Sequence, residues 1–115
     1  MITRYALFEG KVHDGQEAAF RAAVTAEILP LWKRFPGAMA VRVSYAVKRD
    51  DGAPEFPMIL AVSYPDVAAV DAALASPIRT EARAATESVL ARFFTGRIHH
   101  HVMSAEDFDA LLVWA

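Results

Sequence analysis

Three consecutive histidines, His99 to His101, concentrate more polar chemistry than any other stretch of this 115-residue sequence. They lie in the segment 96–103, which begins at a glycine and is predicted to be a β-strand. Successive side chains of a strand point to opposite faces, so His99 and His101 share one face and His100 lies on the other. Histidine exchanges protons near neutrality because its ordinary pKa is ~6.5. The pattern therefore predicts His99 or His101 as a general base. His100, between two apolar residues, is interpreted as a packed core histidine.

A second group of polar side chains is expected on the predicted strand 38–48. Arg42 and Ser44 lie on its minority face between alanines, and small neighbours leave room for a ligand. Arg42 could hold a carboxylate or phenolate, with Ser63 and Tyr5 adding hydroxyl groups from neighbouring strands. Two interpretations stay open for this face: a substrate site, or a contact with a partner subunit in which Arg42 is paired across the interface.

A polar cluster is predicted at one end of the sheet. Antiparallel pairing of the first and last strands brings Glu9 and His13 towards Arg97 and His99. The N-terminus of the next helix lies at the same end and favours anions. Arg97 and Glu9 are expected to form a cross-strand ion pair. Arg97 and His13 are candidate substrate contacts, although His13 can equally be an exposed loop residue.

The composition limits the classes of function. The chain has no cysteine, which excludes disulfides, thiolate catalysis and iron–sulfur clusters. The net charge is −2 and neither half is a basic field, so nucleic acid is not expected as a partner. No apolar run approaches the ~20 residues that span a bilayer, and the first ten residues do not resemble a signal peptide. We therefore expect a cytoplasmic protein with no membrane partner. No metal site is expected, because two histidines on one strand are too few ligands.

The apolar periodicity predicts the order β-α-β-β-α-α-β followed by a tail helix. The elements are a strand 2–9, a helix capped by Asp14 and kinked near Leu29 by Pro30, strands 38–48 and 58–64, two helices capped by Asp66 and Ser76, the strand from Gly96, and a tail helix capped by Ser104. Gly96 is also expected to cap the preceding helix at its C-terminus.

This order predicts an α+β fold of the ferredoxin-like split βαβ type. The four-stranded antiparallel sheet has the order 4-1-3-2 and carries its helices on one face. Since the other face is too apolar for water, two sheets are expected to pair in a homodimer. Residues 1–103 form the α/β-barrel domain and residues 104–115 a helical tail of the same domain. The tail's Leu111 and Leu112 are candidates for clasping the partner.

The chain resembles the dimeric α/β-barrel superfamily, and within it proteins of the ethyl tert-butyl ether degradation (EthD) type. The resemblance rests on Pro30-Leu31 followed by Pro36-Gly37, on Tyr64-Pro65-Asp66 with its alanine-rich helix, and on Gly96-Arg97-Ile98-x-His100. It covers most of residues 1–103. It implies small hydrophobic substrates, often aromatic or polyketide-like, and frequently no cofactor. Family members often carry a histidine two residues before the helix proline; Ile28 stands there in this chain, so that role is not carried over.

Three functions stay open at this point. The first is a cofactor-free oxygenase, cyclase or isomerase that acts on a small hydrophobic or aromatic substrate by histidine-assisted proton abstraction. Its pocket would lie between the sheet and the helices, with His99 or His101 as base and Arg42 or Arg97 stabilising the anion. The second is a non-catalytic dimer that binds a small molecule. The third is a haem-handling protein with a strand histidine as iron ligand.

Overall fold

The computed structural model describes residues 1–111. Its elements are β1 (Ile2–Val12), α1 (Glu17–Ala23), a π-helical turn (Val24–Ile28), α2 (Leu29–Trp32), β2 (Ala40–Tyr45), β3 (Met58–Tyr64), α3 (Val67–Leu74), α4 (Pro77–Phe93) and β4 (Phe94–Ser104).

The four strands form one antiparallel sheet in the order β2-β3-β1-β4. This is the predicted order 4-1-3-2 seen from the other edge, and the predicted α+β ferredoxin-like fold with helices on one face is confirmed. Strand β2 is shorter than the predicted 38–48. Its register with β3 ends at Tyr45 opposite Met58. The N–H of Ala46 still donates to the carbonyl of Pro57 at 3.0 Å, but Pro57 has no N–H with which to return a bond.

The helices cover the face of the sheet that carries its largest apolar side chains. Phe8 of β1 lies between Met58 of β3 and Ile98 of β4, and side chains directly opposite one another share a face. Phe20 and Val89, from α1 and α4, complete the core and are each at most 1 % exposed. Burial of these large apolar side chains is the main stabilising contribution of this layer.

The opposite face of the sheet, called here the open face, carries the alternate residues of each strand. No helix of the described residues packs against it. Its centre is apolar and half-buried, with Tyr5 and Leu7 on β1 beside Ala61 and Ile59 on β3. Histidines and arginines lie along its two outer strands. The open face is therefore an apolar strip between two polar borders.

The first helix begins later than predicted and changes its winding. Its N-cap is Gln16, which makes no side-chain capping bond, whereas Asp14 lies 3.4 Å from Lys11 in an ion pair. The kink expected from Pro30 is a π-helical turn, in which the backbone N–H of Leu29 bonds to the carbonyl of Val24. Proline cannot supply the regular hydrogen bond, and the wider turn is one way of absorbing that loss.

The caps of the later helices agree only in part with the sequence. Asp66 caps α3, since its Oδ1 accepts from the N–H of Ala69 at 2.8 Å. Ser76 occupies the N-cap position of α4, but its hydroxyl donates to the carbonyl of Ala73 instead.

Gly96 is not a helix cap. Helix α4 ends at Phe93 and β4 follows at once, so Gly96 lies inside the strand, directly opposite Gly10 of β1. A Cβ on Gly10 would collide with the carbonyl oxygen of Thr95, and one on Gly96 would collide with that of Glu9. Both glycines have positive φ, 147° and 154°. Glycine lacks a Cβ and adopts positive φ readily, which allows the two backbones to lie closer together than larger residues would permit.

The predicted tail helix is absent over residues 105–111. Ser104 is the last residue of β4, and no helix is formed in the described part that follows it. Strand pairing continues instead, because the N–H of Ala105 bonds to the carbonyl of Met1 at 2.9 Å. Leu112 lies outside the described residues. The assignment of 104–115 to the same domain stays a prediction.

Among the described helices, none is both long and apolar enough to cross a membrane. The expected cytoplasmic location stays a prediction.

Candidate functional site

A cavity of about 550 Å³ lies between the sheet and the helices. Small-molecule sites typically enclose ~300–1,000 Å³ and are mostly apolar. The apolar lining includes Phe8, Trp32, Phe35, Leu60, Leu74 and Leu90. The π-helical turn directly precedes the segment that supplies Trp32 and Phe35. The cavity can therefore hold a small hydrophobic or aromatic molecule.

His100 is the histidine that lines this cavity. It lies opposite Ala6 of β1 on the helix-facing side of the sheet. His100 is exposed on this edge strand, and the partial loss of its hydration, together with the positive charges of Arg4 and Arg79, lowers the pKa of its imidazole to about 4. The side chain is therefore neutral at pH 7. His100 is not merely a packed core histidine, as its apolar neighbours in the sequence suggested, because it borders an open volume.

Two arginines without acidic partners face His100. Arg4, on β1, is half-buried, and burial together with the neighbouring charge of Arg79 lowers the pKa of its guanidinium. Arg79 is exposed in the first turn of α4. Within residues 1–111 neither forms a salt bridge. The cavity thus carries two uncompensated positive charges beside a neutral imidazole.

Tyr64 adds a phenol to the same cavity. The residue is only 2 % exposed, and burial raises the pKa of its hydroxyl, while the charge of Arg4 opposes that shift. The hydroxyl is therefore protonated at neutral pH, and it can donate a hydrogen bond to an anionic ligand.

His99 and His101 lie on the open face, away from the cavity. Their partners in β1 are Leu7 and Tyr5, which alternate with the cavity-lining residues. The expectation that one of them lines a pocket between the sheet and the helices is therefore wrong. Strand alternation predicts which side chains share a face, but not which face the helices cover. A catalytic role for His99 or His101 on the open face stays a prediction.

The predicted polar cluster at one end of the sheet is present for three of its four residues. Nε2 of His99 donates to Oε1 of Glu9 at 2.8 Å, and Nε of Arg97 donates to the same oxygen at 3.2 Å. The hydrogen bond from His99 and then that from Arg97 lower the pKa of the Glu9 carboxyl. His13 instead bonds to Oγ1 of Thr95 at 3.1 Å and is exposed. Arg97 also lines the cavity, and it is the one predicted site residue that does.

The remaining predicted site residues are spread across the open face. Arg42 and His101 lie in one row, in which Ala61 and Tyr5 separate them. Three strand spacings of ~4.8 Å place the two backbones about 14 Å apart, too far for one small substrate to touch both directly. Ser44 is exposed on β2. The hydroxyl of Ser63 is engaged with that of Thr3 at 3.0 Å.

The sequence did carry a signal for the arginines that we missed. Arg4 alternates with Ala6 and Phe8, so it is a charged residue on an otherwise apolar strand face. Arg79 belongs to a helical stripe with Ala82 and Leu90, all three of which line the cavity. Charged residues in phase with buried positions are candidates for a site, because burying an unpaired charge is costly.

In the part of the chain that the structure describes, no group of three or more histidine, aspartate or glutamate side chains could hold a metal ion.

Neither a family model nor a curated protein sequence matches this chain. Several solved structures are similar to it. An EthD family protein from Bacillus halodurans is 19% identical, with a TM-score of 0.68 over 92% of this chain and 99% of that one. A dimeric protein with a ferredoxin-like fold from Bacteroides fragilis is 15% identical, with a TM-score of 0.61 over 90% and 95%. SnoaB, a cofactor-independent oxygenase from Streptomyces nogalater, is 20% identical, with a TM-score of 0.59 over 93% and 94%.

These similarities confirm the resemblance at the level of the fold. The chain shares the ferredoxin-like architecture of an EthD family protein and of dimeric proteins with that fold.

Proposed function

We propose that the protein is an EthD-like enzyme that removes a proton from a small hydrophobic or aromatic substrate without a bound cofactor. The substrate lies in the cavity between the sheet and the helices, and His100 accepts the proton. One observation carries this proposal: a neutral imidazole lines the same mostly apolar cavity as two guanidinium groups that form no salt bridge within residues 1–111.

The charges in the cavity favour formation of an anion. A phenol, enol or activated C–H group gives its proton to His100, and the negative charge develops beside Arg4 and Arg79. Partial loss of hydration and those two charges make the free imidazole a weak base, but the charges also lower the pKa of the substrate. As the anion forms, its own charge stabilises the imidazolium next to it. Proton transfer therefore produces an ion pair in a site where positive charge would otherwise be uncompensated.

In the next step no side chain of the protein acts as an electron acceptor for the substrate anion. It can react with oxygen, cyclise or isomerise, and the fold is compatible with each. The structural similarity to SnoaB supports the oxygenase alternative by analogy of fold.

The working form in this proposal is a homodimer that pairs its open faces. The apolar strip around Leu7 and Ile59 would be covered in such a dimer, which removes apolar surface from water. The similarity to a dimeric protein of this fold supports the same arrangement. His99, His101 and Arg42 would then lie at the interface, so a role for them requires the partner subunit.

A non-catalytic binding protein is the second candidate. The low pKa of His100 favours it, because a neutral imidazole can serve as a hydrogen-bond acceptor for a ligand that is never deprotonated. The haem-handling alternative stays a prediction. Titration with haem tests it, since ligation by histidine produces a Soret band that the variant lacking the ligand does not show.

Turnover of a panel of naphthols and 1,3-dicarbonyl compounds tests the proposal, followed as substrate loss in air and under nitrogen. We expect His100→Gln to lower kcat/KM at least ~100-fold, as for loss of a general base. His99→Gln and His101→Gln are matched controls on the same strand and should retain activity. Full activity of His100→Gln would contradict the proposal, and a loss confined to His99→Gln or His101→Gln would move the site to the open face. Tight binding without turnover in either atmosphere would favour the second candidate.

A further inference from the structure

We propose that the cavity binds a carboxylic acid with an apolar body, and that Arg4 and Arg79 together hold its carboxylate. This inference rests on the proposed function, because it names the substrate class of the same site.

Four arginines line the cavity; two of them form salt bridges within residues 1–111 and two do not. Arg83 is neutralised by Glu87, whose Oε1 accepts from Nε at 3.1 Å. Arg97 is neutralised by Glu9 at 3.2 Å on the other side of the strand. Arg4 and Arg79 have no such partner in residues 1–111, and the only acidic residue that lines the cavity is already engaged.

The position of Arg4 makes an anionic ligand the simplest compensation. It extends from a central strand of the sheet on the same face as Ala6 and Phe8, where burial removes part of its hydration. A partly buried charge beside a like charge is unfavourable unless an anion joins them. The described chain supplies no acid there, and a ligand carboxylate would compensate both charges.

The two arginines approach from different walls. Arg4 belongs to the sheet and Arg79 to the first turn of α4, and both line the same volume. Guanidinium groups donate two parallel hydrogen bonds to a carboxylate, so one carboxylate can bridge both walls. Such a bridge fixes the orientation of the ligand as well as its affinity.

The distance along the strand defines the rest of the molecule. His100 lies opposite Ala6, two residues from Arg4, and two residues of a strand span ~6.5–7 Å. A carboxylate at Arg4 therefore places a group on the same or the adjacent ring within reach of His100. The apolar wall formed by Trp32, Phe35 and Leu90 surrounds the remaining rings. The predicted class is an aryl carboxylic acid with an ionisable hydroxyl or C–H group about one ring away.

Isothermal titration calorimetry at pH 7.5 with 2-naphthoate and 2-naphthamide tests the inference, since the two probes share their rings and differ in charge. A charge-assisted bond of ordinary strength predicts that wild type binds the carboxylate about 10–100-fold more tightly than the amide. Arg79→Gln and Arg4→Gln should each remove most of that preference. Arg83→Gln is the matched control, because the arginine lines the same cavity but is already paired, and it should keep the preference.

Arg79→Gln and one further variant, Arg4→Lys, keep the test informative if Arg4→Gln folds poorly. Arg79 is exposed on a helix, so Arg79→Gln should unfold at the wild-type temperature and carries the test alone. Arg4→Lys keeps the charge but loses the fork, and we expect an intermediate preference. Equal affinity of wild type for the two probes, absence of naphthoate binding at millimolar concentration, or an unchanged preference in folded Arg79→Gln would overturn the inference.

The carboxylate-binding test and the turnover test of the proposed function can fail independently. If wild type binds both probes equally but turns over a neutral naphthol in a His100-dependent reaction, the carboxylate inference fails and the enzyme proposal stands. If the arginine-dependent preference is found but His100→Gln turns over substrates normally, the enzyme proposal fails and the carboxylate site stands.

Discussion

His99 and His100 are neighbours in the sequence and serve opposite faces of the sheet. His99 donates to Glu9 at 2.8 Å on the open face, whereas His100 borders the cavity beside Arg4 and Arg79. One strand therefore contributes a polar border to the face proposed to meet a partner and the proton acceptor proposed for the cavity. In these proposals the open face binds the partner subunit and the helix-covered face binds the substrate.

The neutral state of His100 should be visible in the pH dependence of stability. Its folded pKa of about 4 lies below the ordinary 6.5, so the unfolded chain binds a proton in this window that the folded chain does not. Stability is therefore fully present above pH 6.5 and falls as the pH is lowered towards 4. We expect His100→Gln to lose less stability between pH 7 and pH 4 than wild type does, by an amount on the order of 2 kcal/mol after allowance for solvent screening.

Urea unfolding of both proteins at several pH values measures this difference. His101→Gln is the control on the same strand, and it should retain the extra loss of stability in acid that depends on His100. The same pH dependence in wild type and His100→Gln would mean that the pKa of His100 is not lowered by lost hydration and neighbouring positive charges.

The sequence alone predicted the order of the strands and that the helices cover one face of the sheet. The elements are separated by clear boundary signals, such as the turn at Asp51-Gly52 and the helix start at Ser76-Pro77. It also predicted the alternation of the three histidines correctly. It did not predict which side of the sheet the helices occupy. That choice depends on the combined burial of residues such as Phe8, Leu60 and Ile98 from three strands, and no single strand contains it.

Two other differences arise from contacts between segments that are far apart in the sequence. The tail from Ser104 has the spacing of a helix, but the bond from Ala105 to Met1 continues the sheet instead. Gly96 looks like a helix cap in the sequence, whereas its partner across the sheet is a second glycine, which only the register reveals. Both outcomes were decided by pairing between distant segments.

The glycine pair should be sensitive to a single methyl group. Gly10→Ala places a Cβ against the backbone of Thr95, in addition to the strain of positive φ. Gly15→Ala is the matched control, since its φ is also positive, at 74°, but nothing lies within 4 Å of the added Cβ. We expect the control to cost ~1 kcal/mol of unfolding free energy and Gly10→Ala clearly more. Equal costs in chemical unfolding would show that the two strands can separate without penalty.

The Glu9 cluster should respond to the loss of either donor. Removing the hydrogen bond from His99 with His99→Gln should raise the pKa of the Glu9 carboxyl, and Arg97→Gln should raise it by a smaller step. Carboxyl carbon chemical shifts followed against pH by NMR measure the change. Arg83→Gln lies in a separate ion pair and should leave the Glu9 titration unchanged. An unaltered titration in both of the first two variants would contradict the cluster.

The proposed dimer predicts a sharp response to charge on the open face. Leu7→Arg places a charge in the apolar strip, where burial in an interface would cost several kcal/mol, and should yield a folded monomer. Val67→Arg is the control, because Val67 is already 53 % exposed on α3, and it should leave the assembly unchanged. Native mass spectrometry and sedimentation measure the mass. A monomeric wild type, or a Leu7→Arg variant that still dimerises fully, would exclude pairing through this face.

Ligand titration followed by NMR of the histidine rings tests whether the cavity beside His100 is the site. The ring signals of all four histidines can be assigned by single substitutions to glutamine. With 1-naphthol, which carries no carboxylate, we expect saturable shifts of the His100 signals and little change at His99, His101 and His13. Shifts at His99 or His101 with His100 unmoved would contradict the claim and place the ligand on the open face.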